Sequence, residues 1–147
     1  MKKIIFILFV VLFVNHTYSQ ISTAKKLDES VIMGIADKMV GLPKLAYSEI
    51  DKNTKQYYLY YYNLEYPTIK DIQTISFTAT SDELEYFYKF LQSGFDSTDK
   101  QSLKIGDASI IIYKTYSSIK VSITQKNDIP GWFYLSKKQI DKLFKKK

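Results

Sequence analysis

The sequence predicts an α+β fold in which an antiparallel sheet of about six or seven strands carries two amphipathic helices packed on one face. Several segments alternate Tyr, Ile, Val or Phe with polar residues at a period of two, as strands with one wet face do. Two other segments begin with a capping box and continue with apolar residues at helical spacing. Short polar turns separate the segments, which favours antiparallel neighbours.

Residues 1–19 have the layout of a secretory signal peptide. Lys2 and Lys3 precede an unbroken apolar run from Ile4 to Val14, and a short polar stretch then leads to Ser19, after which we expect cleavage. The alternative is an uncleaved membrane anchor. The apolar run is too short for that, because it covers only about 16 Å of a hydrocarbon core that is about 30 Å thick.

Residues 20–147 are long enough for one domain with an ordinary apolar core. The chain has no cysteine, so it has no disulfide framework and no thiol for lipid attachment. We therefore expect a single α+β domain, secreted or periplasmic, that is neither a lipoprotein nor an integral membrane protein.

The first half of this domain reads as strands followed by a helix. We predict strands at 45–50, 57–64 and 73–79, with the turn-forming sequence DKNTK between the first two. Thr80 and Glu83 have the spacing of a capping box, and a buried stripe follows at Leu84, Phe87, Tyr88 and Leu91. Gly94 is expected to end the helix in a left-handed conformation.

The second half repeats this order. Strands are predicted at 103–105 and 108–114, joined by a hairpin turn at Gly106 and Asp107, then at 119–124 and 132–135. Ser136 and Gln139 form a second capping box, followed by a buried stripe at Ile140, Leu143 and Phe144. One explanation for the matching spacing is a duplicated sheet-then-helix unit. The other, which we favour, is that any strand followed by a capped amphipathic helix shows a similar pattern.

Three missing residue types limit the chemistry of residues 20–147. This segment has no His, Cys or Arg, since the single histidine is His16 and all basic residues of the chain are lysines. Serine and cysteine proteases of the usual kind, zinc sites and arginine-based base recognition are thereby excluded for the chain alone. We expect no metal, no cofactor and no catalysis. The alternative is a hydrolase of envelope polymers that depends on two carboxylates.

The tyrosine-rich stretch QYYLYYYNLEYP contains the first candidate binding residues. Alternation places Tyr58, Tyr60 and Tyr62 on one face of a strand and Leu59 on the other, which we assign to the core. A row of tyrosines can bind a sugar or a protein partner, since Tyr combines a large rigid ring with a polar tip. The competing interpretation is a purely structural sheet, because Tyr is also a strong strand former.

Trp132, Phe133 and Tyr134 are the second aromatic cluster. Core packing of a short strand is the favoured interpretation, because large aromatic residues beside a helix entry are usually buried. The alternative makes Trp132 and Tyr134 part of a contact surface.

The C-terminal end carries the basic excess of the domain. Six lysines and one acidic residue lie in 137–147, whereas the rest of residues 20–147 is close to neutral. Such a distribution disfavours a nucleic-acid-binding face, where basic residues line a groove. Lys145, Lys146 and Lys147 are candidates for a weak contact with an anionic envelope surface, but we favour their role in complementing the helix dipole.

Together these observations predict a small exported domain that acts as a binding, inhibitory or accessory protein. The expected partner is a protein or glycan outside the cytoplasm, contacted through the tyrosine-rich sheet face.

Overall fold

The computed structural model describes residues 30–125 and 130–146, so the predicted signal peptide, most of the NDIPG loop and Lys147 lie outside the described residues. Eight strands and two helices follow one another in this part of the chain. The first unit comprises β1 (Val31–Ile35), β2 (Lys44–Glu49), β3 (Thr54–Tyr62), β4 (Ile72–Thr80) and α1 (Ser81–Ser93). The second unit comprises β5 (Gln101–Ile105), β6 (Ala108–Lys114), β7 (Ile119–Gln125), β8 (Gly131–Leu135) and α2 (Lys137–Leu143).

The strands form two sheets, and the prediction of one sheet of six or seven strands is wrong. The first sheet has the order β1-β2-β3-β4 and the second β5-β6-β7-β8, and all neighbours are antiparallel. The sheet-then-helix order therefore occurs twice. The single-sheet prediction failed because alternation identifies strands without identifying their partners, and α1 separates β4 from β5. The strand β1 is absent from the predicted set.

Both predicted capping boxes are present. Thr80 Oγ1 accepts a hydrogen bond from the Glu83 amide while the Glu83 carboxylate accepts one from the Thr80 amide, and Ser136 and Gln139 make the equivalent pair before α2. These reciprocal bonds satisfy amide groups that a helix start otherwise leaves without partners. Gly106 has the predicted positive φ, of 54°, in the β5–β6 turn.

The expected left-handed end of α1 is wrong, since Gly94 has φ of −61° and ψ of −16°. Close packing instead leaves little room for a side chain here. A Cβ at this position would lie 2.9 Å from Ile112 Cδ1 and 3.0 Å from Ile119 Cγ2. The end of α1 thus lies directly against β6 and β7 of the second sheet.

One continuous apolar core joins the two units. Phe77 of β4, Phe87 of α1 and Phe144 at the end of α2 pack edge to face in series, with ring centroids 5.7 and 5.6 Å apart. The rings of Tyr61 and Phe133 pack 4.9 Å apart and connect β3 to β8. The contacts of Phe87 with Phe144 and of Tyr61 with Phe133 cross between the units, so the inner faces of both sheets and the apolar sides of both helices share a single interior.

A buried polar residue fixes the corner where the two sheets meet. Asn63 follows β3 and is 4% exposed. Its Oδ1 accepts hydrogen bonds from the Glu65 amide at 3.0 Å and the Trp132 amide at 3.3 Å, while its Nδ2 donates to Asp71 Oδ2 at 3.2 Å. The Leu64 amide adds a bond of 2.9 Å to the Trp132 carbonyl. This network sets the position of the second sheet relative to the tyrosine strand.

Candidate binding surfaces

The tyrosines of β3 divide between the two faces of the first sheet. Tyr57, Leu59 and Tyr61 are buried, whereas Tyr58, Tyr60 and Tyr62 lie on the outer face and are half-buried. The division follows from the period of two along a strand, because Leu59 belongs to the core and its neighbours must then point outward. The predicted row of three tyrosines is thus on the outer side of β3, an interior strand of this sheet.

Short side chains flank the Tyr58 ring on both sides and the Tyr60 ring on one side. Tyr58 lies between Ala46 and Ser76 in the strand register, and Tyr60 lies between Lys44 and Thr74. Although it is on the outer face, Ala46 is only 1% exposed. The short side chains on both sides make the Tyr58 ring the largest side chain at its point in the register.

The outer face of the first sheet is free of acidic side chains along its paired strands. We call this surface the tyrosine face, and its outward residues are Ile32, Ile35, Lys44, Ala46, Ser48, Thr54, Gln56, Tyr58, Tyr60, Tyr62, Ile72, Thr74, Ser76, Thr78 and Thr80. The Lys44 ammonium lies 4.5 Å from the centroid of the Tyr60 ring, within the range of a cation–π contact. Hydroxyl groups and the Gln56 amide supply most of the other polar groups.

The inward tyrosines contribute to the core instead. Tyr57 stacks on Phe77 with a centroid distance of 5.5 Å, and burial raises the pKa of its phenol. The alternation of inward and outward tyrosines therefore combines a structural role and a candidate binding role in one strand.

The second aromatic cluster is also divided between core and surface. Phe133 is buried, as core packing predicts, but Trp132 is half-buried and Tyr134 is 44% exposed on the outer face of the second sheet. Core packing is therefore wrong for these two residues. Their rings meet edge to face at 5.4 Å, and the indole Nε1 donates a hydrogen bond of 2.8 Å to Glu65.

A lysine that the sequence analysis did not single out completes this cluster. Lys120 of β7 lies opposite Tyr134 in the register, and its ammonium is 3.9 Å from the centroid of the Trp132 ring system. Cations and aromatic rings attract one another at this distance. The signal in the sequence was the alternation of Lys120 with Ile119 and Val121, which indicates an outward lysine but not its partner.

Of the three C-terminal lysines that are candidates for envelope contact, Lys146 lies near the start of α1. Lys146 forms an ion pair with Glu85 and its ammonium is 5.2 Å from the Tyr88 ring centroid, and the hydrogen bond from Lys146 lowers the pKa of Glu85. Lys145 is exposed, and Lys147 is outside the described residues. One of the three candidates for envelope contact is thus engaged within the protein.

The carboxylates of the described residues do not gather into a metal site, since no group of three or more metal-binding side chains occurs among residues 30–125 and 130–146. Asp82 and Glu85 both line a concavity of about 420 Å³ at the start of α1. Glu85 is paired with Lys146 there, and Glu83 is used by the capping box.

Comparison with known proteins gives no family, since no family model, curated protein or solved structure matches this chain. Within the described ranges, no helix has the length and apolar character needed to cross a membrane.

Proposed function

We propose that this protein is an exported, non-catalytic binding, inhibitory or accessory domain that contacts a protein or glycan through the tyrosine face. The observation that carries the proposal is the outward row of Tyr58, Tyr60 and Tyr62 on an interior strand, with short side chains on both sides of Tyr58 and Lys44 beside Tyr60. Tyr is favoured at binding surfaces because a ring with a polar tip contributes a large contact area at little cost in conformational entropy.

The chemical limits of the sequence support binding over catalysis. Residues 20–147 contain no imidazole, thiol or guanidinium, so a general base near neutral pH has to be a carboxylate or an amine with a strongly shifted pKa. Aromatic recognition requires no such shift. Export is supported by the charge and hydropathy pattern of residues 1–19.

The experiment compares retention of the mature domain, residues 20–147, on envelope proteins and polysaccharides with that of single Tyr→Ser variants at 58, 60 and 62. We expect each variant to retain less ligand than the native domain does. Tyr86→Ser is the matched control, because Tyr86 is 61% exposed on α1, away from the tyrosine face. Unchanged retention by all three variants, with the fold intact, contradicts the proposal.

The alternative function is the carboxylate-dependent hydrolase. We assign its active site to the concavity beside α1, which Asp82 lines. Glu85, the second carboxylate in this concavity, forms an ion pair with Lys146. This engagement of Glu85 favours the binding proposal. Turnover of an envelope polymer that is abolished by Asp82→Asn but not by the tyrosine variants identifies the hydrolase instead.

A further inference from the structure

The outer face of the second sheet is a separate surface with a composition of its own. Its outward residues are Ser102, Lys104, Ser109, Ile111, Tyr113, Lys120, Ser122, Thr124, Trp132 and Tyr134. We call it the lysine–aromatic face. Two lysines, three aromatic rings and four hydroxyl-bearing residues other than Tyr occur together there, and no carboxylate is among these outward side chains.

The cations are held over the rings. The Lys120 ammonium is 3.9 Å from the centroid of Trp132 and 6.0 Å from that of Tyr113, and Lys100, just before β5, approaches Tyr113 to 5.5 Å. An aromatic ring attracts an ammonium group but has no net charge to neutralise it, so the positive charge stays available to an anionic ligand. Among the described residues, Lys100, Lys104 and Lys120 have no ion pair with an acid.

Among residues 30–125 and 130–146, no acid forms an ion pair with a lysine of this face. Glu65 reaches it from the loop after β3, where its carboxylate accepts the hydrogen bond from the Trp132 indole and fixes the ring. Asp107 lies at the rim, in the β5–β6 turn. The interior of the face is left positive, so it is complementary to a polyanion.

We propose that the lysine–aromatic face binds an anionic polysaccharide whose charge is carried by sugar carboxylates. Lysines 104 and 120 pair with the carboxylates, the rings of Trp132 and Tyr134 pack on sugar rings, and the serine and threonine rows bond to sugar hydroxyls. From Lys120 to Thr124 the face extends about 13 Å along β7, at about 3.3 Å per residue. This site is distinct from the tyrosine face and goes beyond the proposed function.

The pattern favours a charged sugar chain over other polyanions. Hydroxyl rows and flat rings match a ligand that has many hydroxyl groups, whereas a plain polyanion needs only the lysines. Single-stranded nucleic acid and an anionic lipid surface have the charge without the sugar carboxylates, and they serve as test ligands.

The test measures binding of the mature domain to polygalacturonate and to its methyl ester, which has the same sugar chain without the charge. We expect binding to polygalacturonate that weakens with added salt, and much weaker binding to the ester. Poly-L-glutamate, single-stranded DNA and phosphatidylglycerol vesicles are the comparison polyanions. Equal or tighter binding to any of these, or equal binding to the ester, overturns the proposal.

Variants locate the site. Lys120→Gln and Tyr134→Ser are each expected to weaken binding to polygalacturonate about fivefold, as the loss of one exposed charge or ring contact does. Lys138→Gln, an exposed lysine on α2, is the matched control and should leave binding unchanged. Tyr60→Ser should also leave it unchanged, which separates this site from the tyrosine face. Full binding by Lys120→Gln and Tyr134→Ser places the ligand elsewhere and overturns the proposal.

Discussion

The contact between β1 and α2 gives the sharpest stability prediction. Gly34 is a buried residue of β1, and a Cβ built on it would lie 2.2 Å from the Leu143 carbonyl oxygen and 2.3 Å from the Lys142 carbonyl oxygen. These are backbone atoms of α2, so no side-chain rotation relieves the overlap. Ordinary contact starts at 3.4 Å, and Gly34→Ala therefore requires a shift of about 1 Å between strand and helix.

The shift is costly because the end of α2 is held by the core. Leu143 and Phe144 are 1% and 3% exposed, and Phe144 packs on Phe87 of α1. Overpacking of this kind costs about 1–3 kcal/mol, and the backbone overlap places Gly34→Ala near the upper end. Removing a glycine from a strand returns about 0.5–1 kcal/mol. We expect a net loss of about 2 kcal/mol, a large part of a typical unfolding free energy of about 5–15 kcal/mol.

The measurement is equilibrium unfolding in urea, followed by the fluorescence of the single tryptophan, Trp132, and by far-ultraviolet circular dichroism. At about 1–3 kcal/mol per molar urea, the midpoint for Gly34→Ala should fall by about 1 M. Gly41→Ala is the control: a Cβ there meets no atom within 4 Å, and its φ of 78° adds only the left-handed strain of about 1–2 kcal/mol. A Gly34→Ala midpoint equal to that of the native protein refutes the packing argument.

Two further predictions concern the helices. Hydrogen bonds from Thr80 hold the pKa of Glu83 below its ordinary value of 4.5, so this cap stabilises the native state above that pH and loses its effect as the pH falls through the lowered pKa. Glu83→Gln, which places at this cap the residue that α2 has at Gln139, should therefore lower the free energy of unfolding at pH 7 and have a smaller effect at pH 3. An equal effect at both pH values contradicts this prediction. Tyr88→Phe removes the 2.8 Å hydrogen bond from the Tyr88 hydroxyl to Asp141 that connects α1 to α2, and should cost about 0.5–1.5 kcal/mol in urea unfolding. Most of this cost should disappear in an Asp141→Ala background, where position 141 has no side-chain acceptor.

Local structure was the predictable part of this fold. Capping boxes and turn glycines act over three or four residues, which is why both helix starts and the Gly106 turn are where the sequence predicts them. The division into two sheets was not predictable in this way. It depends on contacts between distant segments, such as Asn63 with Trp132 and Gly94 with Ile112, for which a single sequence has no local signal.

The candidate surfaces show the same limit. Because strand side chains alternate, Leu59 alone was enough to place Tyr58 and Tyr60 on the outer side of β3. The general tendency of large aromatic residues beside a helix entry to be buried holds for Phe133 but not for Trp132, because this tendency does not show which of two adjacent aromatic residues is inward. The pairing of Lys120 with Tyr134 became visible only with the strand register.

Solvent protection of individual tyrosines tests the central claim most directly. The mature domain is exposed to hydroxyl radicals with and without the envelope fraction that it retains, and oxidation of each tyrosine is measured by mass spectrometry. Binding through the tyrosine face predicts lower oxidation of Tyr58, Tyr60 and Tyr62, with no change at Tyr86 and Tyr116, which are 61% and 103% exposed on other surfaces. Protection of Tyr86 or Tyr116 while the three outward residues of β3 stay as reactive as before contradicts the account.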